Sequence, residues 1–373
     1  MSQRLRDRVA STGRKRLLAL DGGGIRGLIT LGYLEAIEAI VCARHGRDVR
    51  LRDHFDLIGG TSTGAIIAAG LALGLTVKEV TDAYMALGKS IFEHPTMVGG
   101  LSHGLLAAKF LAKDVEAALE KIIGDRTLDT EDITTGLCIV AKRFDTNSVW
   151  PIVNAPDNEF TAYEREPNGK FLLRKIVRAS TAAPTYFDPE FITLGPATYG
   201  FIDGGVSMHN NPALQLLLVA AIPAFGFGWG REETPLSIVS IGTGDWSRAV
   251  PLTAWDSGSM PVKQVGALVG MLMEDASALN ETILQALASG RNRRHIDHLT
   301  GALDGSLFGA RGLTYERYQV ELSEPFLREI GAPDAYIGRI DSYREMDNIK
   351  YMADLLELGR LAAKRQVGDA DIM

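Results

Sequence analysis

The apolar positions of the chain fall into two patterns: short unbroken runs that stop at glycine, and longer stretches with a single apolar face. Residues 17–20, Leu-Leu-Ala-Leu, form a run that halts at Asp21 and three glycines, as a buried strand does on entering a tight turn. Over 28–41, Leu31, Leu34, Ile37 and Val41 recur at three- and four-residue steps, which predicts a helix with one buried face. A second run, 55–58, ends at Gly59-Gly60, and the alanine-rich apolar segment 65–73 then reads as a buried helix. Strands are expected at 137–140, 150–153, 199–202 and 236–241, the last two closing on Asp203-Gly204-Gly205 and Gly242-Thr243-Gly244. The polar stretch 154–170 reads as a surface loop. Asn211-Pro212 is a helix start, a capping amide followed by proline at the first helical position. Past Pro251 the pattern is mainly helical, clearest from about Asn348, where Ile349, Met352, Leu355 and Leu356 share a side. Strands alternating with helices predict an α/β fold with a sheet covered on both faces. No linker interrupts the chain. The expected organisation is a flexible basic leader over 1–16, a core over 17–250, and a mainly helical part of the same domain over 251–373.

Composition narrows this picture little. The 373 residues, 46% hydrophobic and 23% charged, are those of a globular chain. A net charge of −7 speaks against a nucleic acid polymer as partner. Two cysteines, Cys42 and Cys138, make neither a disulfide framework nor a zinc site. The leader lacks the apolar centre of a secretory signal, and the longest apolar stretch, 216–229, is too short and too broken by proline and glycine to span a bilayer. A soluble, cytoplasmic protein is expected. Two basic clusters, Arg4, Arg6, Arg8, Arg14, Lys15 and Arg16 in the leader and Arg291 to Arg294 in the tail, suggest peripheral contact with a membrane.

The chemistry begins at Gly60-Thr61-Ser62-Thr63-Gly64, between an expected strand and an expected helix. That is the setting of a nucleophile elbow, where small neighbours let the chain turn sharply and expose the serine hydroxyl. A second glycine-rich turn, Asp21-Gly22-Gly23-Gly24-Ile25-Arg26-Gly27, offers backbone N–H groups that can hold a phosphate or a transition-state oxyanion, with the charge of Arg26 close by. Gly22-x-Gly24-x-x-Gly27 also satisfies a dinucleotide-binding fingerprint. The acidic residue which that fingerprint requires at the end of the next strand is missing, because the serine turn stands there. None of the seven histidines, His45, His54, His94, His103, His209, His295 and His298, lies in a motif that marks a base. Ser62, Asp245 and His295 or His298 would meet the order of a Ser-Asp-His triad. Asp203 is the better candidate. It closes a strand as Ser62 does, so parallel strands would bring both to one edge of the sheet, and burial would raise its proton affinity. An esterase with a histidine base and a nucleotide-binding module on the glycine loop both stay open at this point.

Taken in order, Asp21-Gly-Gly-Gly-Ile-Arg-Gly27, Gly60-Thr-Ser-Thr-Gly64 and Asp203-Gly-Gly205 resemble the patatin-like phospholipases. The segment 179–187, Ala-Ser-Thr-Ala-Ala-Pro-Thr-Tyr-Phe, is similar to the one that precedes the catalytic aspartate in that family, and Asn210-Asn211-Pro212 and Ser240-Ile241-Gly242-Thr243-Gly244 match as well. The resemblance spans roughly 17–244. It implies a three-layer α/β/α fold with a mainly parallel sheet. It also implies a dyad of Ser62 as nucleophile and Asp203 as base, and an oxyanion hole at Gly22, Gly23 and Gly24 beside Arg26. Asp21, Gly27, Gly60, Thr61, Thr63, Gly64, Gly204 and Gly205 would complete the motifs. No catalytic metal and no cofactor are implied, and the substrate would be a phospholipid or another acyl lipid. A small-molecule activator and a homo-oligomer remain open.

Overall fold

In the computed structural model, the residues described are 1–92, 110, 112–156, 168–246, 261–296, 301–303 and 312–372. His94, His103 and His298, most of the expected loop at 154–170, and the 250/251 boundary lie outside them.

One sheet holds β1 (Lys15–Leu20), β2 (Leu57–Thr61), β3 (Gly136–Arg143), β4 (Ser148–Val153), β5 (Glu190–Leu194), β6 (Ala197–Asp203), β7 (Leu236–Ile241) and β8 (Leu313–Tyr318). β3, β2, β1, β7 and β8 lie side by side and parallel. β4, β6 and β5 add antiparallel pairs at the β3 end. The apolar runs are unbroken because both faces are buried. Leu18, Leu20, Ile58 and Ile241 enter one core, and Leu17, Ala19, Leu57 and Ile238 the other.

Among the described residues the helices of eight or more residues are α1 (Gln3–Ala10), α2 (Gly27–His45), α3 (Thr63–Ala72), α4 (Val77–Phe92), α5 (Ala112–Ile123), α6 (Leu173–Ser180), α7 (Ala213–Ala221), α8 (Pro261–Leu287) and α9 (Met352–Gln366). α2 to α6 and α9 supply the first core, and α7 and α8 supply the second, so three layers result. α9 crosses α2 at Gly32 and Gly359, where a Cβ on either glycine would strike the backbone of the other helix. Among the described residues no helix is long and apolar enough to cross a membrane.

The structure adds elements at both ends. Within 1–16, expected as a leader, lie α1 and the start of β1. Ser2 caps α1 through its hydroxyl, Leu5 is fully buried, and Arg8 donates to the Phe55 carbonyl at 2.8 Å and pairs with Asp56 at 3.4 Å. The part beyond 251, expected to be mainly helical, also holds β8, which extends the parallel sheet beside β7.

One topological detail positions the site. β4 occupies one edge of β3 over 138–143, so β2 and β6 must share the other edge. Thr61 pairs with Val140 and Asp203 with the next residue, Ala141. β2 and β6 therefore meet head to head, carboxyl end against carboxyl end. Ser62 and Asp203 are brought together by opposed strands and not by the parallel ones expected.

Candidate active site

Ser62 joins β2 to α3 with φ 53° and ψ −122°, a left-handed region that non-glycine residues rarely occupy. Holding it there costs of order 1–3 kcal/mol, which the surroundings must offset. Crowding explains the flanking glycines: a Cβ on Gly60 would run into the Gly64 carbonyl, and one on Gly64 into that of Leu20. The Ser62 N–H donates to Ser180 Oγ at 2.9 Å, and that hydroxyl donates to the Val140 carbonyl at 2.6 Å. Thr61 Oγ1 donates to the His209 carbonyl at 2.6 Å, and Thr63 Oγ1 to the Gly24 carbonyl at 2.9 Å. The two threonines of the motif thus tie the elbow to the loops on either side.

Ser62 Oγ donates to Asp203 Oδ2 at 2.6 Å. The other carboxylate oxygen accepts the Gly205 N–H at 2.6 Å, and the Asp203 N–H donates to the Ala182 carbonyl at 2.9 Å. Burial pushes the Asp203 carboxyl up to about 6, against the opposite pull of the Ser62 hydroxyl, the Gly205 amide and the Arg178 guanidinium. The group is ionised at neutral pH, yet far more basic than an ordinary aspartate.

The glycine loop is fixed through its carbonyls. Gly22 O accepts from Thr243 Oγ1 at 2.8 Å, Gly23 O from Arg26 Nε at 3.3 Å, and Gly24 O from Tyr84 OH at 2.6 Å. In a planar trans peptide the N–H points away from the preceding carbonyl, so holding Gly22 O and Gly23 O aims the N–H groups of Gly23 and Gly24 outward. Neither has an acceptor among the described residues. Gly22 is different, since its N–H donates to the Asn210 carbonyl at 3.1 Å and is not open to a ligand. Arg26 is buried, bound to the loop itself and stacked 4.6 Å over Trp246. Gly27 packs against Thr63, and Gly204 against Val140.

Arg317 is a side chain bound to the glycine loop that the sequence does not mark. From β8 it grips Asp21, the first residue of the glycine loop, with two hydrogen bonds of 3.0 and 2.6 Å, and lies 3.3 Å from Glu281. Burial lowers the arginine pKa, but these two carboxylates outweigh it and keep the side chain charged. Its only sequence signal is the pair Glu316-Arg317 inside an alternating strand, which reads first as a solvated edge.

Among the described residues no histidine ring is hydrogen-bonded to Ser62 or Asp203. His295 is exposed and lines a cavity of about 540 Å³ with Asp245, whose lining does not include Ser62. Asp245 pairs with Arg294 at 3.5 Å. His54 is bonded to the Ile372 carbonyl, and burial pushes its pKa down to about 4. His209 contributes its carbonyl to Thr61. Among the described residues no three His, Cys, Asp or Glu side chains converge to hold a metal.

The comparisons agree with this architecture. A family model described as patatin-like phospholipase matches residues 18–217. A cGAMP-activated phospholipase of Escherichia coli (strain TW11681) is 33% identical over 231 residues, 62% of each chain. Patatin-15 of Solanum tuberosum is 29% identical over 243 residues, 61% of this chain and 60% of that one. Patatin-like protein 1 of Arabidopsis thaliana is 28% identical over 289 residues, 67% of this chain and 66% of that one. The chain spans about three fifths of the length of the first two.

Proposed function

Because the chain belongs to the patatin-like phospholipase family, we propose that it is a serine acyl hydrolase of lipids in which Ser62 is the nucleophile and Asp203 its base. The observation that carries this is the 2.6 Å hydrogen bond from the Ser62 hydroxyl to a buried carboxylate whose pKa is pushed up to about 6. Asp203 Oδ2 takes the hydroxyl proton as Oγ attacks the ester carbonyl carbon. The oxyanion so formed is held by the N–H groups of Gly23 and Gly24, which replace the expected trio, and Arg26 fixes that loop through the Gly23 carbonyl. Collapse breaks the ester C–O bond, and the leaving alkoxide receives the proton from Asp203. Water then attacks the acyl-serine with the same carboxylate as base, returning Ser62 and releasing the acid. No step requires a metal. The family and the relatives' names support an acyl lipid, phospholipid included, as substrate. The name of the Escherichia coli relative also supports a cyclic dinucleotide as a candidate activator.

The test is hydrolysis of a soluble aryl ester and of phospholipid by the full chain, with and without cyclic GMP–AMP. Ser62→Ala and Asp203→Asn should each lower kcat by about 10³ or more, and a chelator should change nothing. Full activity in Asp203→Asn overturns the dyad, whereas loss in His295→Ala restores the triad with Asp245.

A further inference from the structure

Two asparagines, Asn210 and Asn211, stand ahead of α7, and the mechanism uses neither side chain. The fold accounts for Asn211. It is fully buried, and its Oδ1 accepts the N–H of Ala213, the first residue of α7, at 3.0 Å. Asn210 turns the other way, toward the dyad. Its carbonyl accepts the Gly22 N–H at 3.1 Å, and its Nδ2 donates to the Gly22 carbonyl at 3.4 Å, so one residue holds Gly22 at both its polar groups. The carboxamide also fills a notch between two loops. A Cβ on Gly22 would lie 2.5 Å from Asn210 Oδ1 and 3.1 Å from Ser62 Cβ. A Cβ on Gly205 would lie 2.9 Å from Asn210 Oδ1 and 3.0 Å from Asp203 Oδ1. Gly22, whose own amide is occupied, is thus glycine because the Asn210 side chain takes its space.

The segment that carries Asn210 is fixed from two sides. The His209 carbonyl accepts the Thr61 hydroxyl of the elbow at 2.6 Å. Asn280, buried on α8, donates to the carbonyls of Met208 at 2.7 Å and Asn211 at 3.3 Å. Asn210 is therefore held against a firm support. Its bond to the Gly22 carbonyl matters for direction. A single donor there, Thr243 Oγ1 at 2.8 Å, leaves the peptide free to swing about that bond. A second donor fixes its plane, and the plane sets where the Gly23 N–H points. A donor already aimed at the developing oxyanion needs no reorganisation when the charge arrives.

We propose that Asn210 is a positioning residue for acyl transfer, aiming the Gly23 N–H through Gly22 and seating the loop after the base through Gly205. The Gly205 N–H holds Asp203 Oδ1 at 2.6 Å, so a shift of that loop moves the base. Asn210 in this way keeps the oxyanion donor and the base in one geometry while negative charge passes from Asp203 to the acyl oxygen. The inference rests on the acyl-hydrolase reading, and its test separates the two.

Steady-state rates of the full chain on a soluble aryl ester are measured across pH, each divided by the serine that a fluorophosphonate titrates, so that misfolded protein is not counted. Asn210→Ala should lower kcat about tenfold or more with KM little changed and the acid limb of kcat/KM in place. Asn210→Asp should also move that limb upward by about one pH unit or more, because a like charge beside Asp203 disfavours its ionised form. Arg178 of α6, the other charge that acts on Asp203, is the same in both variants. Gly205→Ala should lower kcat on its own, and its cost should shrink at least about threefold when Asn210 is already alanine, since the two changes disturb one contact. Parental kcat in Asn210→Ala, an acid limb that Asn210→Asp leaves in place, or additive losses in the double variant each overturn the role of Asn210. If any of these occurs while Ser62→Ala is inactive, the dyad stands and this role alone falls. An active Ser62→Ala overturns both.

Discussion

Asp203 faces two opposed demands. To accept a proton it must be charged, and its place against Ser62 at the end of β6 buries it. The burial that makes it basic also makes its charge costly. A shift from 3.8 to about 6 corresponds to roughly 3 kcal/mol between its two protonation states. The folded pKa lies above the unfolded one, so its contribution to stability is full below about pH 4 and is lost as pH rises through about 6. Two outcomes are expected. The acid limb of kcat/KM on a soluble aryl ester should have its midpoint near pH 6, about two units above that of an ordinary aspartate. Asp203→Asn, though inactive, should melt above the parent at pH 7.5, and the difference should close as pH falls toward 4. Melting curves that coincide at both ends would mean that the charge is not under strain.

At the scale of elements, the end of α6 does more than its sequence suggests. Ser180 holds the N–H of the strained Ser62, and two residues later the Ala182 carbonyl holds the N–H of Asp203. One helix terminus thus clamps both halves of the dyad. Ser180→Ala should lower kcat at least about tenfold with KM little changed, and Ser180→Thr should restore it. Steady-state rates on the aryl ester decide, and an unchanged kcat in Ser180→Ala would reduce the clamp to packing. The segment 179–187 was recognisable by its resemblance, but the role of Ser180 was not, because it depends on a contact across 118 residues. Strands 17–20 and 236–241 were legible because each is an unbroken apolar run closed by glycine. The apolar run 55–58 places β2 too early, since Gly59 and Gly60 continue its ladder between β1 and β3, where no side chain is needed to pair. β8 was not legible: its Glu316 and Arg317 are buried through ion pairs and hydrogen bonds with Asp21, Glu281, Arg291 and Asn292, which no local pattern reveals. The resemblance implies Gly22 in the oxyanion hole, but no local pattern shows the Asn210 carbonyl that occupies its amide.

For the whole molecule, the matched stretch ends at residue 217, but the sheet does not. β7 covers the open edge of β1, and Arg317 on β8 is the counter-ion of Asp21. A fragment limited to 18–217 would leave that edge unpaired and bury an unpaired carboxylate, each a strong penalty. It should be insoluble or unfolded by circular dichroism, whereas a folded, active fragment would show the later strands to be dispensable. The meeting of β2 and β6 along one edge of β3 has a different consequence. The distance between nucleophile and base is metered by the rungs of that ladder. A slip of β6 by one rung would carry Asp203 about 3.3 Å along β3 and turn its side chain to the opposite face. Between β3 and β6, outside α6 and its Ser180–Ala182 end, the chain can therefore lengthen or shorten, provided that β6 returns to the pairing of Ala141 with Asp203. One residue gained or lost within β6 itself would part the dyad while leaving every side chain of the site in the sequence.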